Sequence, residues 1–269
     1  MICNNLSVNA EGHLCLGGQD TVALAKQYGT PLYLLDEDRI RERCRTYKKA
    51  MLEAFGAKAM PLYASKAASF KQLYRIIKEE GMGVDVVSSG EVYTAVSAGF
   101  PMERAYFHSN NKTDADIAFA MDAGVGYFVC DNEEELFAIE RQASARGIVQ
   151  KILIRVTPGI DPHTHKSIST GRVDSKFGVA IETGQAQDLI ALALTQPHIS
   201  LEGYHCHIGS QIFETKPFTD AADIMFRFAA AMRSSARKEE GCSGKESMIQ
   251  SNDQYLTKSD GEKKCCRIF

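Results

Sequence analysis

From residue 62 onward, short apolar runs and helical stretches alternate along the chain. Strand-like runs occupy 62–65, 83–88, 105–108, 126–130, 151–156 and 199–206, and helical patterns fill 68–80, 89–98, 113–123, 132–146, 183–195 and 217–236. A helix-length connection returns the chain to the end of the sheet it left, so strands joined this way pair in parallel. Gly81, Gly83, Gly99, Gly124, Gly126 and Gly147 stand at the joints, where helix ends call for positive φ. No Gly-x-Gly-x-x-Gly fingerprint follows a strand. The pattern therefore predicts an α/β barrel of the TIM type, with a doubly wound sheet as the structural alternative. A barrel puts its chemistry at the C-terminal ends of the strands.

The first 35 residues read as short strands and turns: Leu14-Cys15-Leu16, then Gly17-Gly18, then Leu32-Tyr33-Leu34-Leu35 after Thr30-Pro31. Asp36 is placed to cap a helix running through Ile40, Cys44 and Tyr47 toward Phe55. The chain of 269 residues is 44% hydrophobic and 24% charged, enough apolar material for one large α/β domain. A net charge of -3 and the lack of a basic stripe with interleaved aromatics give no reason to expect nucleic acid. No apolar run reaches membrane-spanning length, so no membrane is expected. The start of the chain lacks the charged n-region of a secretory signal. Eight cysteines without a repeated C-x-x-C spacing read as reduced thiols in the cytoplasm.

The strand ends carry polar residues of a chemical kind. Lys66 closes Pro61-Leu62-Tyr63-Ala64-Ser65-Lys66-Ala67, where a buried strand meets a helix. An ammonium that loses water there has a lowered pKa, which suits a Schiff-base lysine; a surface lysine opening a helix is the other reading of this segment. Asp85 lies in the second strand, with Ser88, Ser89, Gly90 and Glu91 beyond it. His108 to Lys112 end the third, Asp131 and Asn132 the fourth, Arg155 lies in the fifth, and His205, Cys206, His207, Gly209 and Ser210 end the sixth. Capping is the expected work of Ser88, Asp131 and Asn132. His205 and His207 share one strand face, and His163, His165 and Cys206 offer further ligands. Without a matching Cys pair or carboxylate they do not make a zinc site, and no metal is assigned. The sharper reading lays one imidazole flat on a planar cofactor, with Gly209-Ser210 donating to a phosphate.

Leu62–Ala67, Val84–Glu91 and the segment His108-Ser109-Asn110-Asn111-Lys112 resemble the pyridoxal-phosphate decarboxylases of the alanine-racemase-like barrel type. Ser169-Thr170-Gly171, Ser175-Lys176-Phe177-Gly178 and the run from Gly203 to Ile212 are most similar to the diaminopimelate decarboxylase family, and the likeness runs over residues 20–233. The resemblance implies pyridoxal 5′-phosphate as cofactor and decarboxylation of meso-2,6-diaminopimelate to L-lysine. It implies that Lys66 binds the cofactor covalently, that His207 stacks on its ring and that Ser210 holds its phosphate. Asp85, Glu91 and Arg155 match positions around the ring and its lysine, and Lys176 and Gly178 match a supporting motif. It further implies a small amino-acid substrate, a homodimer and a cytoplasmic or, in a plant, plastid location.

After Arg233 the family pattern stops, and six of the eight units a closed barrel needs are expected. The expected division is N-terminal strands over 1–35, a partial barrel over 36–236 and a polar, disordered tail over 237–269. Such a chain is expected to be inactive alone, the alternatives being a non-catalytic fragment that binds a full-length homologue or another basic amino-acid decarboxylase or racemase of this fold. Cys265-Cys266-Arg267-Ile268-Phe269 loosely fits a prenylation signal, but Arg267 is a poor aliphatic, and a chance ending is the preferred reading.

Overall fold

The computed structural model describes residues 4–160, 177–240 and 267–268. The chain divides into two units: residues 1–63 with 70–83, and residues 64–69 with 84–269.

In the first unit β1 (Leu6–Val8), β2 (Leu14–Leu16) and β3 (Gln19–Asp20) form an antiparallel sheet. Asp20 ends it and caps α1 (Thr21–Tyr28), its carboxylate accepting from the Val22 and Ala23 amides. This helix stands where turns were expected. Asp36 caps α2 (Glu37–Phe55) as read from the sequence, accepting from the Arg39 amide. The strand expected over 32–35 does not form: residues 32–36 carry no regular structure, and Tyr33 is 94% exposed. An apolar run makes a strand only where its backbone and side chains find partners, and this one finds none of either in a ladder. After β4 begins (Leu62–Ala64), α3 (Lys71–Glu79) buries Leu73, Tyr74, Ile76 and Ile77. Arg41 and Arg45 of α2 both reach Glu80 past its end, Arg45 through two hydrogen bonds of 2.8 and 2.9 Å. Glu80 is nearly buried, and the Arg45 guanidinium, opposed by burial and helped by Arg41, holds its carboxyl below the usual range.

The second unit is a parallel sheet. From the end of β4 the order runs through β5 (Gly83–Val86), β6 (Ala105–His108), β7 (Tyr127–Cys130), β8 (Gln150–Thr157) and β10 (Ile199–His205). A two-residue β9 (Val179–Ala180) pairs with β8 off this path. Neighbours in the sheet follow chain order with no reversal. A doubly wound sheet reverses its strand order partway; a barrel does not. The arrangement is that of the barrel. β6 and β7 are buried along their whole length, which is why they read as unbroken apolar runs rather than alternating ones.

The crossover helices are α4 (Ser89–Ser97), α5 (Asp114–Asp122), α6 (Glu133–Arg146) and α7 (Gln185–Leu194), with α8 (Lys216–Glu240) after β10. Ser88 caps α4 and Asn132 caps α6, each accepting from the third amide of its helix. Asp131 does not cap; its carboxylate turns to Arg155 instead. Thr113 and Asp116 close a capping box on α5. α8 continues to Glu240, residues 241–266 and 269 of the expected tail lie outside the described residues, and β11 (Arg267–Ile268) pairs parallel with β10 at Gly203 and Tyr204. Among the described residues no helix is long and apolar enough to cross a membrane.

Candidate active site

The C-terminal ends of the parallel strands converge in the second unit. β4 ends in a 3-10 turn, Ser65–Ala67, whose first residue is fully buried. The Ser65 hydroxyl lies 2.9 Å from the Asp85 carbonyl and 2.5 Å from Glu91 Oε2, and the Val87 amide donates to that same oxygen at 2.8 Å. Glu91 thus ties the turn to the end of β5 from the first turn of α4. Lys66 follows directly and is exposed. The desolvation expected at this joint is absent, because the lysine stands on the turn past the strand and not inside it.

On β5, Asp85 faces His108 of β6, with Nδ1 and Oδ2 3.4 Å apart. The His108 ring packs on that of His205 at the end of β10, centroids 4.4 Å apart and planes at 52°. Arg155 of β8 donates to Asp131, just past β7, at 3.2 Å, and both side chains are buried. The Arg155 guanidinium also lies over the Phe177 ring, 4.6 Å from its centroid. Phe177 is fixed in turn by the Thr157 hydroxyl, which donates to its carbonyl at 2.9 Å. Gly178 follows at φ +68, and a Cβ there would sit 2.8 Å from the Arg155 carbonyl oxygen, so only glycine lets this loop lie against β8.

Burial and crowded positive charge keep His205 and His207 neutral. Burial, then the charges of Lys66 and Arg155, push His207 down to about 4. His205 is driven well below the ordinary histidine range by burial first, then by neighbouring His108 and Arg155. Burial raises the Cys206 thiol to about 11, so it is no thiolate at neutral pH. Lys112, in the loop after β6, is completely buried and donates to Glu135 at 2.6 Å and to the Ser109 and Val129 carbonyls at 2.8 Å each. Burial lifts the Glu135 carboxyl, the lysine charge opposing it.

Residues 37–238 match the family described as pyridoxal-dependent decarboxylase, pyridoxal binding domain. The chain belongs to that family. It is 48% identical over 219 residues to a diaminopimelate decarboxylase of Bacillus methanolicus and 47% identical to that of Bacillus subtilis, covering 81% of this chain and 50% of each relative. Among solved structures, diaminopimelate decarboxylase from M. jannaschii aligns with a TM-score of 0.78 at 31% identity, over 87% of this chain and 54% of that one. A lysine/ornithine decarboxylase from Vibrio vulnificus aligns at 0.66 with 26% identity, over 86% of this chain and 55% of that one. The chain spans half the length of the relatives it matches.

The pyridoxal-binding domain meets a simple test of fit. Two buried polar atoms in this cluster, Asp85 Oδ1 and His205 Nδ1, have no hydrogen-bond partner among the described residues. An unsatisfied carboxylate oxygen among cationic and neutral donors is a place prepared for a polar ligand. Of the residues chosen from sequence, His207 feels the charges of Lys66, Arg155 and Asp85, and Arg155 feels that of Asp85. Ser210 is exposed, two residues beyond the buried Ile208. Glu91 is engaged by the Ser65 hydroxyl and the Val87 amide. Lys176, His163, His165 and residues 169–175 lie outside the described residues. Sequence reasoning assigned no site role to His108, Lys112, Glu135 or Phe177, and it expected Asp131 to cap a helix. The strand-end rule pointed at His108, Lys112 and Asp131, the family resemblance also ran through His108 to Lys112, and nothing in the sequence singled out Glu135.

Proposed function

We propose that this chain binds pyridoxal 5′-phosphate through Lys66 and takes part in the decarboxylation of meso-2,6-diaminopimelate to L-lysine. The observation that carries the reading is a neutral His207 that feels the charges of Lys66, Arg155 and Asp85 within a pyridoxal-binding domain. The identities of 48% and 47% to two diaminopimelate decarboxylases support the choice of substrate.

The cofactor, when bound, supplies an electron sink for the charge left as CO₂ departs. Lys66 is the covalent anchor, and its exposed amine is open to a carbonyl compound from solution. His207, uncharged at neutral pH, offers a flat apolar face without adding a cation beside Lys66. Asp85 presents one carboxylate oxygen to a donor on the ligand. Arg155 is spent on Asp131 and Phe177, so its work is to hold the cluster's shape and positive potential. Ser210 and the Gly209-Ser210 backbone are proposed to hold the phosphate. Lys66 also holds the proton that has to be returned to carbon.

Lys66 and Ser210 stand exposed, so full catalysis is assigned to an assembly that covers them, the homodimer being the form proposed, in the cytoplasm. The test is direct. The chain mixed with pyridoxal phosphate is expected to show a visible band that borohydride abolishes, with the label fixed on the Lys66 peptide. An unchanged band in Lys66→Ala would refute the assignment. Turnover of meso-diaminopimelate by the chain alone is expected to be weak or absent, and robust CO₂ release would overturn that part.

A further inference from the structure

We infer that His108 is a positioning residue that holds the Asp85 carboxylate by one oxygen and so keeps the other aimed into the cofactor site. The inference rests on the pyridoxal-binding reading above and deepens it.

Asp85 is paired in register with Tyr106, and His108 lies two residues further along β6. Side chains two apart on a strand share a face, so His108 stands diagonally across from Asp85 on the same side of the sheet. Its Nδ1 meets Asp85 Oδ2 at 3.4 Å, while Asp85 Oδ1 is buried and has no partner among the described residues. His108 is itself 6% exposed, clamped by the His205 ring. A carboxylate cannot donate, so the contact requires the His108 tautomer that carries its proton on Nδ1.

The reason a clamp is needed is Arg155. Its charge reaches Asp85 as well as its hydrogen-bonded partner Asp131. Two acidic groups near one buried guanidinium compete for it. Unrestrained, the Asp85 side chain would rotate toward Arg155 and spend both oxygens within the protein. The donor on His108 engages Oδ2, and Oδ1 is left over as an acceptor. His205, its ring packed against that of His108, restricts the movement of the imidazole.

Two substitutions separate the donor from the bulk. His108→Asn keeps an N–H near the position of Nδ1, whereas His108→Leu fills the space without donating. Titrating each variant of the whole chain with pyridoxal phosphate and following the visible band, His108→Leu is expected to bind about tenfold more weakly, the weight of one hydrogen bond to a charged group. His108→Asn is expected to stay within about threefold of the parent, since it retains the donor. Equal binding by all three, or equal loss in both variants, would overturn the inference. Nitrogen NMR of the cofactor-free chain gives a second test that does not depend on cofactor. The His108 resonances are expected to report a proton on Nδ1 in the parent and to shift toward the Nε2-protonated form in Asp85→Ala. A ring protonated on Nε2 in the parent, unmoved by Asp85→Ala, would overturn the clamp. A parent chain that shows the clamp by NMR but no Lys66-dependent band would instead refute the cofactor reading alone.

Discussion

Arg155, Asp131, Lys112 and Glu135 are buried and paired with one another, whereas Lys66 and Ser210, at the same end of the same sheet, stand in solvent. The first group comes from the middle strands, their loops and the first turn of α6; the second comes from the turn after β4 and the loop after β10. In the middle, each charge is buried and paired with an opposite charge within the protein. At the flanks a side chain has fewer neighbours and keeps its water. The inner wall is therefore a finished piece of protein structure, held by its own interactions. The rim carries the groups that react with or grip a ligand, and its contribution to stability is small.

That contrast can be broken by experiment, most forcefully at Lys112. Lys112→Met leaves Glu135 buried and unpaired, and is expected to cost about 3–5 kcal/mol in urea unfolding. Lys112→Met with Glu135→Leu is expected to cost far less than the sum of the two single changes, since no charge is then stranded. Additive losses would mean that the pair is not a unit. Gly178→Ala is expected to cost about 1–3 kcal/mol, because it sets a Cβ against the Arg155 carbonyl at a left-handed φ. Weaker pyridoxal phosphate binding by that variant would show that the inner wall shapes the rim.

A pH series sharpens the comparison at His207, which lies between the two groups. Its folded pKa is about 4 and that of an unfolded histidine about 6.5, so the unfolded chain takes up the proton first. The contribution of neutral His207 is whole above about pH 6.5, falls as the pH drops toward 4, and levels off below. His207→Gln is expected to flatten the stability curve in that window relative to the parent, and parallel curves would disprove the burial argument. The smallest effect is expected at the rim. Ser210→Ala is expected to shift the unfolding midpoint by less than about 0.5 kcal/mol equivalent, yet to weaken pyridoxal phosphate binding measurably. A large loss of stability would place Ser210 with the inner wall.

Much of the fold is legible in the sequence for a local reason. The strands at β6 and β7 announce themselves as short apolar runs because both their faces are buried, and Ser88 and Asn132 announce helix starts because capping is decided within three residues. Asp131 looked equally suited to capping. What redirected it was Arg155, which is adjacent only through the pairing of β7 with β8. The run 32–35 looked like a strand by composition, but a strand also needs a neighbour, and none is supplied. Helix α1 escaped notice because its cap, Asp20, also ends the small antiparallel sheet and reads there as a turn residue.

The amino-acid sequence alone determined the alternation of strands and helices and the parallel pairing, and it put polar residues such as Lys66, Asp85 and Arg155 in or at the ends of strands. These follow from periodicity and from the rule that short crossovers bring successive strands side by side. The tertiary structure decided which of those groups are buried and which partners each one holds. That Lys66 is exposed, that Glu91 serves Ser65 and Val87, and that Asp85 keeps one oxygen free depend on contacts across strands. Burial and pairing are properties of what surrounds a side chain, and residues 20 or more apart in sequence supply most of those surroundings.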